Sequence, residues 1–429
     1  MQRNLAVLAI FVLSGAAGLV YEIVWSRQLV LVFGNTTQAV SAILTGFFGG
    51  MAIGAVVGGR LADRVRSPLR MYGILEIVLV GVVLATPVTF DVIREVYRGI
   101  YPTLQGTPWL ALARLGLAVL ALAPATVLMG ATFPSLIRHL SVDASLSASF
   151  GRLYAANTVG AIAGTLLAGL ILIEVFGLSG ALAIGTIGSL IAGLVALRLA
   201  RTQEAVLPPA DLPATSPSSG RPVAPDRMRL ALAIAFVSGL TSLGYQVTWT
   251  RLLASGTGNT TYVFTVILAT FLVGIAIGAF IFNLWISRYR HPIRVLAMAQ
   301  AIVAVLAIIG LVAVLGQAEA LRPGRPLETL QALTSSVVVV VLPVTIVLGV
   351  AFPTAAALLR DEAAVAGRES GALLGVNTTG AIVPPIRGRR PDGHGRSPET
   401  GVLPPSSAGG GHRGVTHNSQ LTCVARPRR

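Results

Sequence analysis

The sequence predicts an all-α polytopic membrane protein made of two parallel six-helix repeats, the second of them incomplete. Three observations carry that prediction. The 429 residues are 54% hydrophobic and 11% charged, with a mean hydropathy of +0.78, whereas a soluble globular chain carries about 25% charged residues. The apolar residues fall in blocks of roughly 20, the length of one bilayer crossing. Finally, residues 14–27, SGAAGLVYEIVWSR, return as residues 238–251, SGLTSLGYQVTWTR, at an offset of 224.

The blocks lie near 5–33, 38–59, 71–90, 109–137, 154–173 and 178–199, so residues 1–199 form a first repeat of six helices. Residues 200–228 are rich in Pro, Ser and Gly and read as a flexible linker. Blocks resume near 229–254, 262–286, 293–316 and 334–359, and a short one spans 371–383. The second repeat, 229–383, is therefore expected to hold four helices plus a stub too short to cross, with Pro384-Pro385 stopping it. The offset that relates the Tyr-x-x-x-Trp segments also carries Gly50 and Gly54 onto Gly274 and Gly278. A slightly shorter offset carries Phe133-Pro134 onto Phe352-Pro353 and Asn157-Thr158 onto Asn377-Thr378. Such a repeat means two copies of one structural unit, and it rules out a cleaved signal peptide for the first segment.

Charge sets the orientation. All 32 basic residues are arginine, against 17 acidic residues, for a net charge of +15. The absence of lysine excludes a P-loop and Schiff-base chemistry. The arginines cluster in alternate short loops, which with a cytoplasmic N-terminus obeys the positive-inside rule, so they report on the bilayer and not on nucleic acid. Both copies then face the same way, which requires an even number of crossings in each. Six fits, and two parallel six-helix repeats are the layout of the major facilitator fold. The single cysteine, Cys423, excludes an internal disulfide.

The second repeat breaks off near Ile382. In the first copy Asn157-Thr-Val-Gly-Ala-Ile162 runs on into AGTLLAGLILI; in the second, Asn377-Thr-Thr-Gly-Ala-Ile382 runs into VPPIRGRRPDGHGRSPE. Residues 384–429 are rich in Arg, Pro, Gly and Ser and read as a disordered basic tail. That composition suits a frameshifted or truncated end; a genuine basic tail is the alternative.

SGAAGLVYEIVWSRQLVLVFGNTT, the Gly58-Gly-Arg-Leu-Ala-Asp-Arg64 loop, Gly130-Ala-Thr-Phe-Pro134 and the GRLYAANTVGAIAG block at 151–164 together resemble the membrane portion of bacterial fused major-facilitator/spermidine-synthase-like proteins. The resemblance covers about 1–382. It implies a plasma (inner) membrane protein and a transporter-like module handling polyamines or other organic cations. The competing implication is a membrane anchor for an aminopropyltransferase domain missing from this chain. No catalytic residues of that domain have positions here. Gly409-Gly410-Gly411 is followed by His412-Arg413, without the acid of a nucleoside-binding loop. Neither a cofactor nor a metal site is expected.

Several residues stand out in the helices. Glu22 and Glu76 are acids inside apolar helices, where charge is expensive and marks a bundle interior or an aqueous path. Their counterparts in the second copy are Gln246 and Gln300. This acid–amide asymmetry suits a site for a proton or organic cation; a purely structural acid neutralised by a neighbouring helix is the alternative. Tyr21 with Trp25, and Tyr245 with Trp249, share a helix face and suit either a cation-accepting cavity or an interfacial belt. Arg60, Asp63 and Arg64 resemble the cytoplasmic latch of major facilitators, one-sided here because Ser287 replaces the acid in the second copy. Gly46, Gly50, Gly54 and Gly58, repeated by Gly274 and Gly278, form a bare stripe suited to tight helix packing or to lining a path.

Overall fold

The computed structural model describes residues 2–34, 36–142, 146–206, 225–257, 261–284, 292–316, 326–359 and 363–387. They are helical nearly throughout, as lipid demands of any backbone that crosses it. The first repeat contains α1 (Gln2–Phe33), α2 (Thr37–Ala62), α3 (Pro68–Leu104), α4 (Trp109–Leu140), α5 (Leu146–Leu167) and α6 (Ile173–Val206), with a π-helical turn, Ala168–Leu172, joining the last two. The second contains α7 (Pro225–Thr257), α8 (Thr261–Leu284), α9 (Pro292–Gly316), α10 (Pro326–Ala356) and α11 (Ala366–Arg387).

Nine stretches among the described residues are long and apolar enough to cross a membrane. One of them, 148–202, holds two crossings. At Gly177 the backbone takes φ +69°, a conformation glycine adopts without strain. Before it, Gly160 and Gly164 pack along Val12 and Ala16; after it, Gly185 and Gly188 pack on Tyr21 and Leu13, in the opposite order. The chain therefore reverses at Gly177.

Small residues set the helix spacing, and they do so identically in the two copies. A Cβ on Gly50 would collide with the Thr126 hydroxyl of α4, and one on Gly274 with the Thr345 hydroxyl of α10. Gly54 lies against the Val127 carbonyl and Gly278 against that of Ile346; Gly160 meets Val12, and Gly380 meets Phe236. Gly46 and Gly58 complete the stripe on α4, against Ala118 and Ala131. The predicted glycine stripe thus serves packing between α2 and α4, and none of its members borders the central cavity. Close backbone approach replaces the hydrophobic drive that lipid cannot supply.

One expectation needs correcting. The stub predicted at 371–383 is part of a 22-residue helix that starts at Ala366 and includes Pro384-Pro385 in its last turns. Its start was hidden because Glu369 and Ser370, ahead of the apolar run, are polar yet buried. Burial in protein removes the hydropathy signal that lipid exposure would impose. Residues 388–429, which include most of the tail, and Ser287 lie outside the described residues.

Candidate functional site

A cavity of about 300 Å³ lies among α1 to α5 of the first copy and α7, α8 and α11 of the second. Its walls are pseudo-symmetric: Gly15 and Gly239, Leu19 and Leu243, Phe47 and Phe271, and Asn157 and Asn377 all border it in corresponding pairs. The local reason is the glycine. A Cβ on Gly15 would sit 2.8 Å from the Asn157 carbonyl oxygen, and Gly239 meets Asn377 in the same way. These crossings of α1 with α5 and of α7 with α11 bring one amide from each copy to the cavity wall.

Of the corresponding pairs on the wall, one differs in charge. Glu22 lines the cavity where the second copy supplies Gln246. Glu22 has no hydrogen-bond or ion-pair partner among the described residues, and no arginine lines the cavity there. The apolar part of the wall includes Met51 and Met129, flexible side chains that can adapt to a ligand's shape.

The other predicted cavity residues sit elsewhere. Glu76 is wholly buried inside the first copy, where Ser14 Oγ donates to its Oε1 at 2.5 Å and the Tyr72 and Ser189 hydroxyls flank it. Ser14 itself borders the cavity, so one side chain separates Glu76 from it. Tyr21 and Trp25 stack on each other within the core of the first copy, and Tyr21 donates to Ser189 Oγ at 3.1 Å. Trp249 is in the core of the second copy beside Tyr245. Gln300, on α9, does not border the cavity either. The aromatic pairs are thus packing residues in both copies.

Of the residues expected to form a latch, Asp63 contacts the start of α11. Asp63 follows the last residue of α2, and its carboxylate accepts from the Gly367 and Arg368 backbone amides at 2.9 and 2.8 Å. Those amides are the unpaired donors at the start of α11, where a negative charge is favoured. Arg138 Nε stands 3.6 Å from Asp63 Oδ1. Burial pushes the Asp63 carboxyl above the usual carboxylate range, and the two amides and the arginines Arg138 and Arg368 pull against that shift. Gly59 meets the Gly367 carbonyl and Gly371 that of Ala55, so α2 and α11 pack backbone to backbone behind the latch. Arg60 and Arg64 are exposed and take no part. Sequence reasoning had found Asp63 and missed Arg138, Gly367 and Arg368. It had also aligned Asn157 with Asn377 without placing them at the cavity, although an amide recurring inside two apolar helices was the available signal.

The chain is thus a bundle of long apolar helices with a partly polar cavity between its two repeats. Residues 5–385 match the model of the Major Facilitator Superfamily, and the chain belongs to that family. Among solved structures it is similar to the Major Facilitator Superfamily transporter FucP in the outward conformation, with a TM-score of 0.54 and 17% identity over 89% of this chain and 90% of that one. It is also similar to a bacterial homologue of the iron transporter ferroportin in its outward-facing state with soaked iron (TM-score 0.55, 15% identity, 89% and 90% covered). The nucleoside transporter NupG is similar too (TM-score 0.54, 14% identity, 90% of each chain). These likenesses establish the fold. No curated protein matches the sequence.

Proposed function

We propose that this protein transports a small organic cation through the central cavity, with Glu22 receiving the positive charge. The observation that carries the reading is the unpartnered Glu22 carboxyl on a wall without basic side chains. A carboxylate buried without a cation keeps its desolvation cost, and pairing with a ligand ammonium offsets that cost. Asn157 and Asn377 supply hydrogen bonds from either side, and Phe47 and Phe271 supply apolar and cation–π contact. In this reading Glu76, one side chain behind the wall, holds the coupling proton. The arginine-rich loops favour the plasma membrane with the N-terminus and the Asp63 latch on the cytoplasmic side. Within the organic cations, the resemblance to fused spermidine-synthase-like proteins points to polyamines, and it also supports a second reading as an anchor for an aminopropyltransferase domain.

Uptake of tetraethylammonium and putrescine into proteoliposomes tests both readings. Transport requires saturable uptake of at least one cation that falls at least 10-fold in Glu22→Gln, in a protein that remains monodisperse. Uptake unchanged by the substitution overturns the role of Glu22. No uptake by either protein favours the anchor.

A further inference from the structure

The charge count of the cavity narrows the ligand further. We infer that the substrate carries a single cationic group, placed at Glu22, and a neutral hydrogen-bonding end facing Gln246 and Asn377. This inference rests on the cation reading above and specifies its substrate class. It follows from the pairing of the walls. Gly15, Leu19, Phe47 and Asn157 border the cavity together with their counterparts Gly239, Leu243, Phe271 and Asn377. The walls of the two copies are alike at these positions and differ in charge at one, where Glu22 faces a cavity that Gln246 also borders.

Among the described lining residues Glu22 is the only acid, and none is basic. The cavity therefore offers at most one negative charge. A ligand with one ammonium is neutralised there. A diamine or polyamine brings a second ammonium into a region walled by Leu243, Leu268 and Phe271, where the available polar groups are amides and a hydroxyl. Those groups satisfy hydrogen bonds and leave the charge uncompensated, and an uncompensated buried charge keeps its full desolvation cost. Glu76 does not alter the count, because it lies behind Ser14, is wholly buried and has no place on the cavity wall. The amide and hydroxyl of Gln246 and Ser242 suit a hydroxyl, ether or carbonyl at the far end of the ligand. The substrate is thus an amino alcohol-like or comparable monocation, and the polyamines suggested by the sequence resemblance fit poorly.

Two ligands of equal length separate the cases: 6-amino-1-hexanol, with one ammonium, and 1,6-diaminohexane, with two. Their binding to the full-length protein in nanodiscs is measured by calorimetry. The wild type is expected to bind the amino alcohol at least 10-fold more tightly than the diamine, and Glu22→Gln is expected to abolish that binding. Gln246→Glu adds a second carboxyl to the wall that the second copy supplies and is expected to reverse the preference by at least 10-fold. Ser242→Asp adds a carboxyl at a neighbouring lining position and provides the same test if the first variant does not fold. Equal or tighter binding of the diamine by the wild type overturns the single-charge inference while leaving the cation reading intact. An unchanged ligand ratio in the folded carboxyl-adding variants also overturns it. Absence of any Glu22-dependent binding of either ligand overturns the cation reading and this inference with it.

Discussion

The two copies agree where helices touch and disagree where charge matters. Gly50 and Gly274 abut corresponding threonines, Gly54 and Gly278 abut corresponding carbonyls, and Gly160 and Gly380 do the same on α1 and α7. Even the helix-softening prolines recur, with Pro124 and Pro134 in α4 and Pro343 and Pro353 in α10. Yet Glu22 and Gln246, at corresponding positions on the cavity wall, differ in charge, and Glu76 and Asp63 belong to the first copy alone. A duplicated unit keeps its packing because every close backbone contact constrains two helices together. A polar group is freer to diverge, because its role depends on what it meets across the interface between copies.

The largest test of this contrast concerns packing. Gly54→Ala and Gly278→Ala each place a methyl against a backbone carbonyl that cannot withdraw. Each is expected to cost about 1–3 kcal/mol, as overpacking does, seen as a lowered melting temperature in nanodiscs. A clear loss in one copy with none in the other breaks the structural equivalence.

The latch tests the opposite property. Asp63→Ala removes the acceptor for the Gly367 and Arg368 amides and is expected to cost about 1–2 kcal/mol, like the loss of a helix cap. Hydrogen exchange at those two amides should speed up selectively, and unchanged protection there would show that the latch is not a cap. Arg138→Ala should do less, about 0–1 kcal/mol, because its ion pair with Asp63 is long and partly solvated. Thermal unfolding that ranks Arg138 above Asp63 would reverse their assigned roles. Arg60→Ala and Arg64→Ala, on exposed side chains, should stay within about 0.5 kcal/mol of the parent protein. A larger fall in melting temperature would return these arginines to the latch.

Much of the helix plan was legible because its cause is local. A run of about 20 apolar residues is a crossing wherever it occurs, and glycines four residues apart form a bare stripe on any helix. Helix α11 was read too short because Glu369 and Ser370 precede its apolar run, and only its neighbours show that these residues are buried. Tyr21 and Trp25 were correctly placed on one face, but a shared face does not say whether it meets a cavity or another helix.

The sequence by itself determined the class of protein, the duplicated unit, its small-residue seams and the acids that lipid would not tolerate without a reason. Which acid meets the cavity was decided only by the tertiary structure. Glu22 and Glu76 are alike in sequence terms, both set in apolar helices opposite a glutamine in the other copy. The rotation of α1 turns Glu22 to the cavity, and α3 packs Glu76 against Ser14 and α6. Likewise the loop sequence singled out Asp63, but its partners are backbone amides 304 and 305 residues away. No local pattern encodes such a distance, because the start of α11 reaches Asp63 only when the two copies close on each other.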